Sequence, residues 1–228
     1  MYKFLILFLI IATTCNAQVS NKNNLKKENY YLEDQLYIGV TYNILTDLPS
    51  SISQTGFSNG FLVGYIKDLP INKKRNYGFG IGLGYALDTY FQDLKIFENN
   101  NTIFYENFEA DENFESNKII LNSIELPFEI RFRTSTRDKY KFWRIYTGIK
   151  FKYIFSSKAS FKDNGTQKTK NLDALNNFNY GLTLGAGHGT WNLHLYYGLK
   201  PIFKDAFLND EQQIKMKDLK IGLIFYIL

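Results

Sequence analysis

Hydrophobic and polar positions alternate with period two from Leu36 to the end of the chain, in eight runs: Leu36–Ile44, Gly60–Leu69, Tyr77–Tyr90, Ile119–Thr134, Arg144–Ser156, Phe178–Gly187, Trp191–Phe203 and Lys217–Leu228. That period belongs to strands whose two faces meet different surroundings. Between the runs, connections alternate in length. Long ones (Leu45–Asn59, Phe91–Lys118, Ser157–Asn177, Lys204–Met216) follow the odd-numbered runs, and short ones (Pro70–Asn76, Ser135–Trp143, His188–Thr190) follow the even-numbered runs. A meander barrel with one rim outside a membrane and the other facing the periplasm has this connectivity.

The two faces identify the solvent. In the fourth run Ile124, Leu126, Phe128, Ile130 and Phe132 share one face, while Ser123, Glu125, Glu129, Arg131 and Arg133 share the other. The fifth run sets Ile145, Thr147, Ile149, Phe151, Tyr153 and Phe155 against Arg144, Tyr146, Gly148, Lys150 and Lys152. In the third, Tyr77, Phe79, Ile81, Leu83, Tyr85 and Leu87 alternate with Gly78, Gly80, Gly82, Gly84, Ala86 and Asp88. Glycine weakens a strand, so its use at every second position calls for a steric reason, which the crowded concave side of a small barrel supplies. A soluble barrel would line its cavity with the apolar set and expose the charges. Here the charged and small residues fit inside and the apolar ones face lipid. Glu125, Glu129, Arg131, Arg133, Arg144, Lys150 and Lys152 thus form an expected lumen charge cluster, structural or pore-lining. A hairpin centred near Asp138–Lys139 would place Glu125 across from Lys152, with Lys150 diagonal to it. Strand ends carry Tyr42, Tyr65, Tyr77, Tyr90, Trp143, Trp191 and Tyr226, where interfacial belts would need them.

The first residues read differently. Lys3 is followed by an apolar run from Phe4 to Ala12 and a small or polar stretch to Ala17, the pattern of a secretory signal peptide over 1–17 with cleavage after Ala17. Nine apolar residues are too few to span a bilayer as a helix. Lipidation at Cys15 is the competing route, but Ala12-Thr13-Thr14 lacks the Leu usual three positions before a lipobox cysteine. Residues 18–35 then form a polar periplasmic tail, and 36–228 the barrel. No later stretch has eighteen successive apolar residues, so strands are the means of crossing.

Composition narrows the chemistry. Aromatics reach 17%, with only 4 Pro and 2 Met, which favours strands over helical bundles. One cysteine and two histidines exclude a disulfide scaffold and a cysteine-based zinc site. The net charge of +5 comes from dispersed Lys and Arg without a recognition motif, so nucleic acid is not an expected partner.

With those runs in place, Ile124-Glu125-Leu126-Pro127-Phe128-Glu129-Ile130-Arg131 resembles the Glu-Leu-Pro strand of the PorT-like outer-membrane β-barrel family. Arg144–Lys150, continuing to Phe155-Ser156-Ser157-Lys158, is similar to that family's next strand, and Leu219–Leu228 to its closing strand. The resemblance implies an all-β, eight-stranded antiparallel up-and-down transmembrane barrel in the outer membrane of a Gram-negative cell. It also implies a role for some members in type nine secretion. The chain departs from the usual terminal aromatic: it ends in Leu228, with Tyr226 two positions earlier.

Candidate catalytic and metal-binding residues are few. His188 sits in a tight turn and His194 in a strand, neither with a serine at catalytic spacing. The alternate glycines 78–84 follow strand periodicity and precede no helix, unlike a phosphate loop. Glu98, Glu106, Glu109, Asp111, Glu112 and Glu115 make the second long loop acidic without the spacing of an EF-hand, as in a solvated or lipopolysaccharide-bridging loop. The expectation is a non-enzymatic barrel without a cofactor or bound metal, acting through external loops or as an accessory of envelope assembly or secretion. Its expected partners are outer-membrane lipid and lipopolysaccharide, the barrel-assembly machinery and, by the resemblance, secretion-system or envelope proteins. A narrow porin-like channel and a membrane-embedded lipid hydrolase are the alternatives.

Overall fold

The computed structural model describes residues 35–72, 74–108, 114–134, 143–162, 165–209 and 212–227. The expected signal peptide, the tail up to Asp34, three of the loop acids (Glu109, Asp111, Glu112) and residues 135–142 lie outside them. Thirteen strands run in chain order: β1 (Gln35–Thr46), β2 (Asn59–Pro70), β3 (Tyr77–Phe91), β4 (Leu94–Asn99), β5 (Thr102–Asn107), β6 (Ser116–Arg133), β7 (Trp143–Lys162), β8 (Thr166–Lys170), β9 (Phe178–His188), β10 (Trp191–Gly198), β11 (Phe207–Leu208), β12 (Gln212–Gln213) and β13 (Lys217–Ile227).

Eight of these close on themselves. The order β6-β3-β2-β1-β13-β10-β9-β7 is completed by pairing of β6 with β7, and all pairs are antiparallel. Closure leaves no barrel edge whose backbone groups would face hydrocarbon unpaired. Outward positions on every barrel strand are mostly apolar and exposed, including Leu36, Val40, Leu83, Ile130, Ile145, Leu182 and Leu193. In water such a surface would drive aggregation; in lipid it is the stable arrangement.

Aromatic residues gather towards both ends of this surface. Trp143 and Trp191 are 64% and 63% exposed at the short-turn end, where the Trp191 ring meets Phe225 and Trp143 meets His188. Tyr153, Phe155 and Phe178 mark the other side. Two expected belt residues are not there. Tyr90 and Tyr226 are 1% and 6% exposed, on the inward parity of β3 and β13, and their hydroxyl-bearing rings fill the lumen. At the β9–β10 turn, Gly189 adopts a φ of 62°, which a two-residue hairpin accepts most readily from glycine.

Several boundaries differ from the alternation pattern. β6 and β7 are 18 and 20 residues long, well beyond the 9–11 or so that cross the hydrocarbon. The pattern in β7 breaks because of a β-bulge: Asn122 pairs with Ser156 but Ser123 with Ile154, so Phe155 is an extra residue and the side-chain parity flips. Beyond the bulge, apolar Ala159 and Phe161 point inward and Lys158 and Lys162 outward. The faces thus exchange polarity where the strand leaves lipid. β7 also changes partner there, from β9 (through Tyr153) to β8 (from Lys158). The seventh run ends early, since the strand stops at Gly198 and Pro201, which has no N–H for a ladder, follows shortly. The long connections contain secondary structure that the pattern did not predict: the β4–β5 and β11–β12 hairpins and β8.

Candidate functional site

All seven residues of the expected charge cluster are buried inside the barrel. Their neighbours fall into three levels. Towards the short turns, Arg131 reaches Glu129 Oε2 at 3.1 Å and Asp68 Oδ1 at 3.5 Å, and donates to Gln35 Oε1 at 3.2 Å. Arg133 binds the other oxygen of Asp68 at 2.7 Å and donates to the carbonyl of Arg75 at 2.7 Å. The Arg131 guanidinium also lies 4.3 Å from the Tyr146 ring centroid, and Arg144 stands 6.0 Å from that of Tyr226. Planar guanidinium groups suit this stacking among rings and carboxylates.

In the middle, Lys150 pairs with Glu125 at 2.8 Å beside the Tyr196 ring. Towards the long loops, Lys152 and Lys220 share two carboxylates. Lys152 Nζ lies 2.9 Å from Asp88 and 3.3 Å from Asp218, while Lys220 Nζ lies 2.6 Å from Asp88 and 3.7 Å from Asp218. Tyr90 donates to Asp218 at 3.1 Å and the Asn43 amide to Asp88 at 3.2 Å. Among the described residues the buried set contains six cations and five carboxylates, so the interior is nearly neutral although densely charged. Near-neutrality matters because an uncompensated ion in a low-dielectric space is costly.

The register matches the expected one, with Glu125 opposite Lys152, but the ion pair does not. Lys152 turns to Asp88 and Asp218, and Glu125 takes the diagonal Lys150. The reason lies in four further residues that share the lumen. Asp68, Asp218 and Lys220 lie outside the seven-residue cluster that the alternation predicts, and Asp88 stands at the end of the glycine-rich face of β3. Extending the same parity along β2, β3 and β13 places all four inward. The glycines of β3 make the space for large side chains from other strands. A Cβ on Gly80 would meet Arg131 Nε, and one on Gly84 would overlap the Tyr37 hydroxyl.

Above the lumen, the long connections fold into a cap with its own apolar core. Leu45 and Ile52 come from the first, Leu94, Ile96 and Tyr105 from the second, Leu172, Ala174 and Leu175 from the third, and Ile202, Phe203, Ala206, Leu208, Ile214 and Met216 from the fourth. Ile214 and Met216 are wholly inaccessible to solvent. Hydrogen bonds tie the connections together. Asp93 accepts from the Ser53 amide at 2.6 Å and its hydroxyl at 2.7 Å, Asn176 donates to the carbonyls of Pro201 and Phe203, and Asn209 N–H donates to the Tyr105 carbonyl. Burial pushes the Tyr105 hydroxyl pKa up, with Asp173 adding to the effect. An open groove of about 250 Å³ runs between Phe104, Tyr105, Asp173, Lys204 and Phe207 on the cap.

Among the described residues no catalytic constellation forms around the histidines. His194 is buried in the lumen, and its Nε2 has no hydrogen-bond partner among the described residues. Nucleophilic catalysis would require a serine or similar group in contact with it. His188 lies at the β9–β10 turn against Trp143. Among the described residues no three His, Cys, Asp or Glu side chains converge as a metal site. Of the loop acids that are described, Glu115 pairs with Lys162, and Glu98 is exposed at the β4 end.

A closed antiparallel barrel with a lipid-facing exterior and a charged interior defines a small transmembrane barrel of the outer-membrane type. Comparison with protein families agrees: the model of the outer membrane protein beta-barrel domain matches residues 16–204, and the chain belongs to that family. It is an outer-membrane protein. Among solved structures it is similar to Ail, the attachment invasion locus protein of Yersinia pestis, at 13% identity and a TM-score of 0.32, covering 85% of this chain and 97% of that one. The same protein in complex with the heparin analogue sucrose octasulfate gives 14% identity and a TM-score of 0.33 over the same shares. Comparison with curated proteins gives no sequence match.

Proposed function

We propose that this protein is a non-conducting, non-enzymatic outer-membrane barrel that acts through its external cap, as a membrane-fixed platform for an envelope or secretion assembly. The observation that carries this reading is the cap. Four connections share one apolar core over a lumen filled by interlocked ion pairs, so the cap is built as a fixed surface rather than a set of free loops. Long loops of outer-membrane barrels face outside and short turns the periplasm, which sets the cap on the external side. The likeness of Ile124–Arg131, Arg144–Lys158 and Leu219–Leu228 to the PorT-like strands supports the secretion-accessory form of the proposal.

The test has two arms. Purified protein in planar bilayers should give no discrete conductance steps; steady steps would favour the narrow channel. Affinity purification from intact outer membrane should bring down an envelope partner, and Phe207→Asp, on the exposed part of the cap, should weaken that capture without altering barrel assembly. An undiminished capture would move the contact away from the cap.

A further inference from the structure

The upper parts of β6 and β7 together with β8 make a three-stranded extension beyond the barrel. Its inner face packs Ile119, Leu121 and Ala159 into the cap core and the buried Phe161 against Phe108 and Phe114. Its outer face is basic. The register sets Lys158 directly opposite Lys170, aligns Lys118, Ser160 and Lys168 across the three strands, and aligns Lys162 with Ser116 and Thr166. Five lysines therefore share one side of a sheet about 10 Å wide. Lys162 pairs with Glu115, and Lys118 lies 5.5 Å from the Phe91 ring centroid. No described carboxylate forms an ion pair with Lys118, Lys158, Lys168 or Lys170.

Two facts point to what meets this face. Like charges directly opposite in a sheet are destabilising, so the Lys158–Lys170 pair is a cost that an anion would remove. The face is also continuous with the lipid-facing side of the same strands. Lys158 follows the exposed Phe155 by three residues, about 10 Å along the strand, which is the step from the aromatic belt into the headgroup layer. Lysine stems can lie on the apolar band while their ammonium groups reach the phosphate level.

We propose that this face binds the phosphorylated headgroup of an outer-leaflet lipid, with Lys158, Lys168 and Lys170 as its central contacts. The site is independent of any partner the cap engages. Its chemistry is phosphate recognition by several ammonium groups on a rigid sheet, with Ser160 and Thr166 on the same face as hydroxyl donors.

The full chain, refolded in detergent micelles, is titrated with bisphosphorylated lipid A and with its dephosphorylated counterpart, and bound lipid is counted by native mass spectrometry. The phosphorylated lipid should be retained and the other lost. K158Q/K170Q should weaken retention roughly 30-fold at low salt, and Lys168→Gln alone about fivefold. The charge-matched pair K74Q/K215Q, at exposed lysines away from the face, should leave it unchanged. Because K158Q/K170Q removes a like-charge pair, its heat-induced gel shift should persist and its unfolding midpoint should not fall. Equal retention of both lipids, equal loss in the control pair, or equal competition by soluble polyphosphate would overturn the proposal.

Discussion

At the scale of single residues, the lumen is a set of ion pairs whose value lies in compensation. Replacing Glu125 by Gln leaves Lys150 without its carboxylate, at a cost of about 3–5 kcal/mol if the pair is dry and much less if water reaches it. The double change Glu125→Gln with Lys150→Met should recover a large part of that loss. Combined with Lys152→Met, the same Glu125→Gln change should come much closer to additivity, because Lys152 is held by Asp88 and Asp218. Urea unfolding midpoints for the singles and both doubles check this, and the opposite ranking would reverse the pairing. The seven charges of β6 and β7 were legible in the sequence because each alternates with a large apolar neighbour. Their partners were harder to read. Asp68 and Asp218 lie near strand ends, where two or three residues of alternation do not establish a face; Asp88 is legible as the last position of the glycine-rich face but not as an ion-pair partner, since rotamer choice between Glu125 and Asp88 is invisible to register.

At the scale of elements, the bulge at Phe155 sets the boundary between two kinds of strand. Below it the outer face is apolar and the inner face charged; above it the assignment is reversed. Deleting Phe155 would remove the extra residue while Ile154 stays opposite Ser123 and Ser156 opposite Asn122, so Lys158 and Lys162 would keep facing outward and Ala159 and Phe161 would stay inward. The expected result is a barrel and a cap that both still form, with slow hydrogen exchange in the cap and the heat-induced gel shift retained; a cap that opens would show that the bend made by the bulge is needed to seat the upper strands. All eight barrel strands were readable as period-two runs. The bulge, and with it the upper third of β7, was not, since a one-residue phase slip looks in sequence like the end of a strand. The hairpins of the cap escaped for a related reason: their alternation is short and their apolar sides face each other.

For the whole molecule, two cores are stacked along one axis, a polar one within the membrane and an apolar one outside it. The protein should fractionate with outer membrane and migrate faster on gels before heating than after, since a closed barrel offers detergent no edge to unzip. Recovery as a soluble periplasmic protein would contradict that. A broad-specificity protease added to intact cells should cut within Phe91–Lys118 and spare Ser135–Trp143, and the reverse pattern would invert the orientation. The cap has a consequence for assembly. Its core draws on all four long connections, so it has no complete hydrophobic partner set until each of them has passed through the bilayer. Those segments must therefore travel unfolded, with Leu94, Leu175, Ile214 and Met216 uncovered, and come together only on the far side. Closing the cap is then the last event of biogenesis and acts as a ratchet: once its core is buried, no loop can slip back across the membrane without exposing the apolar side chains of the other three.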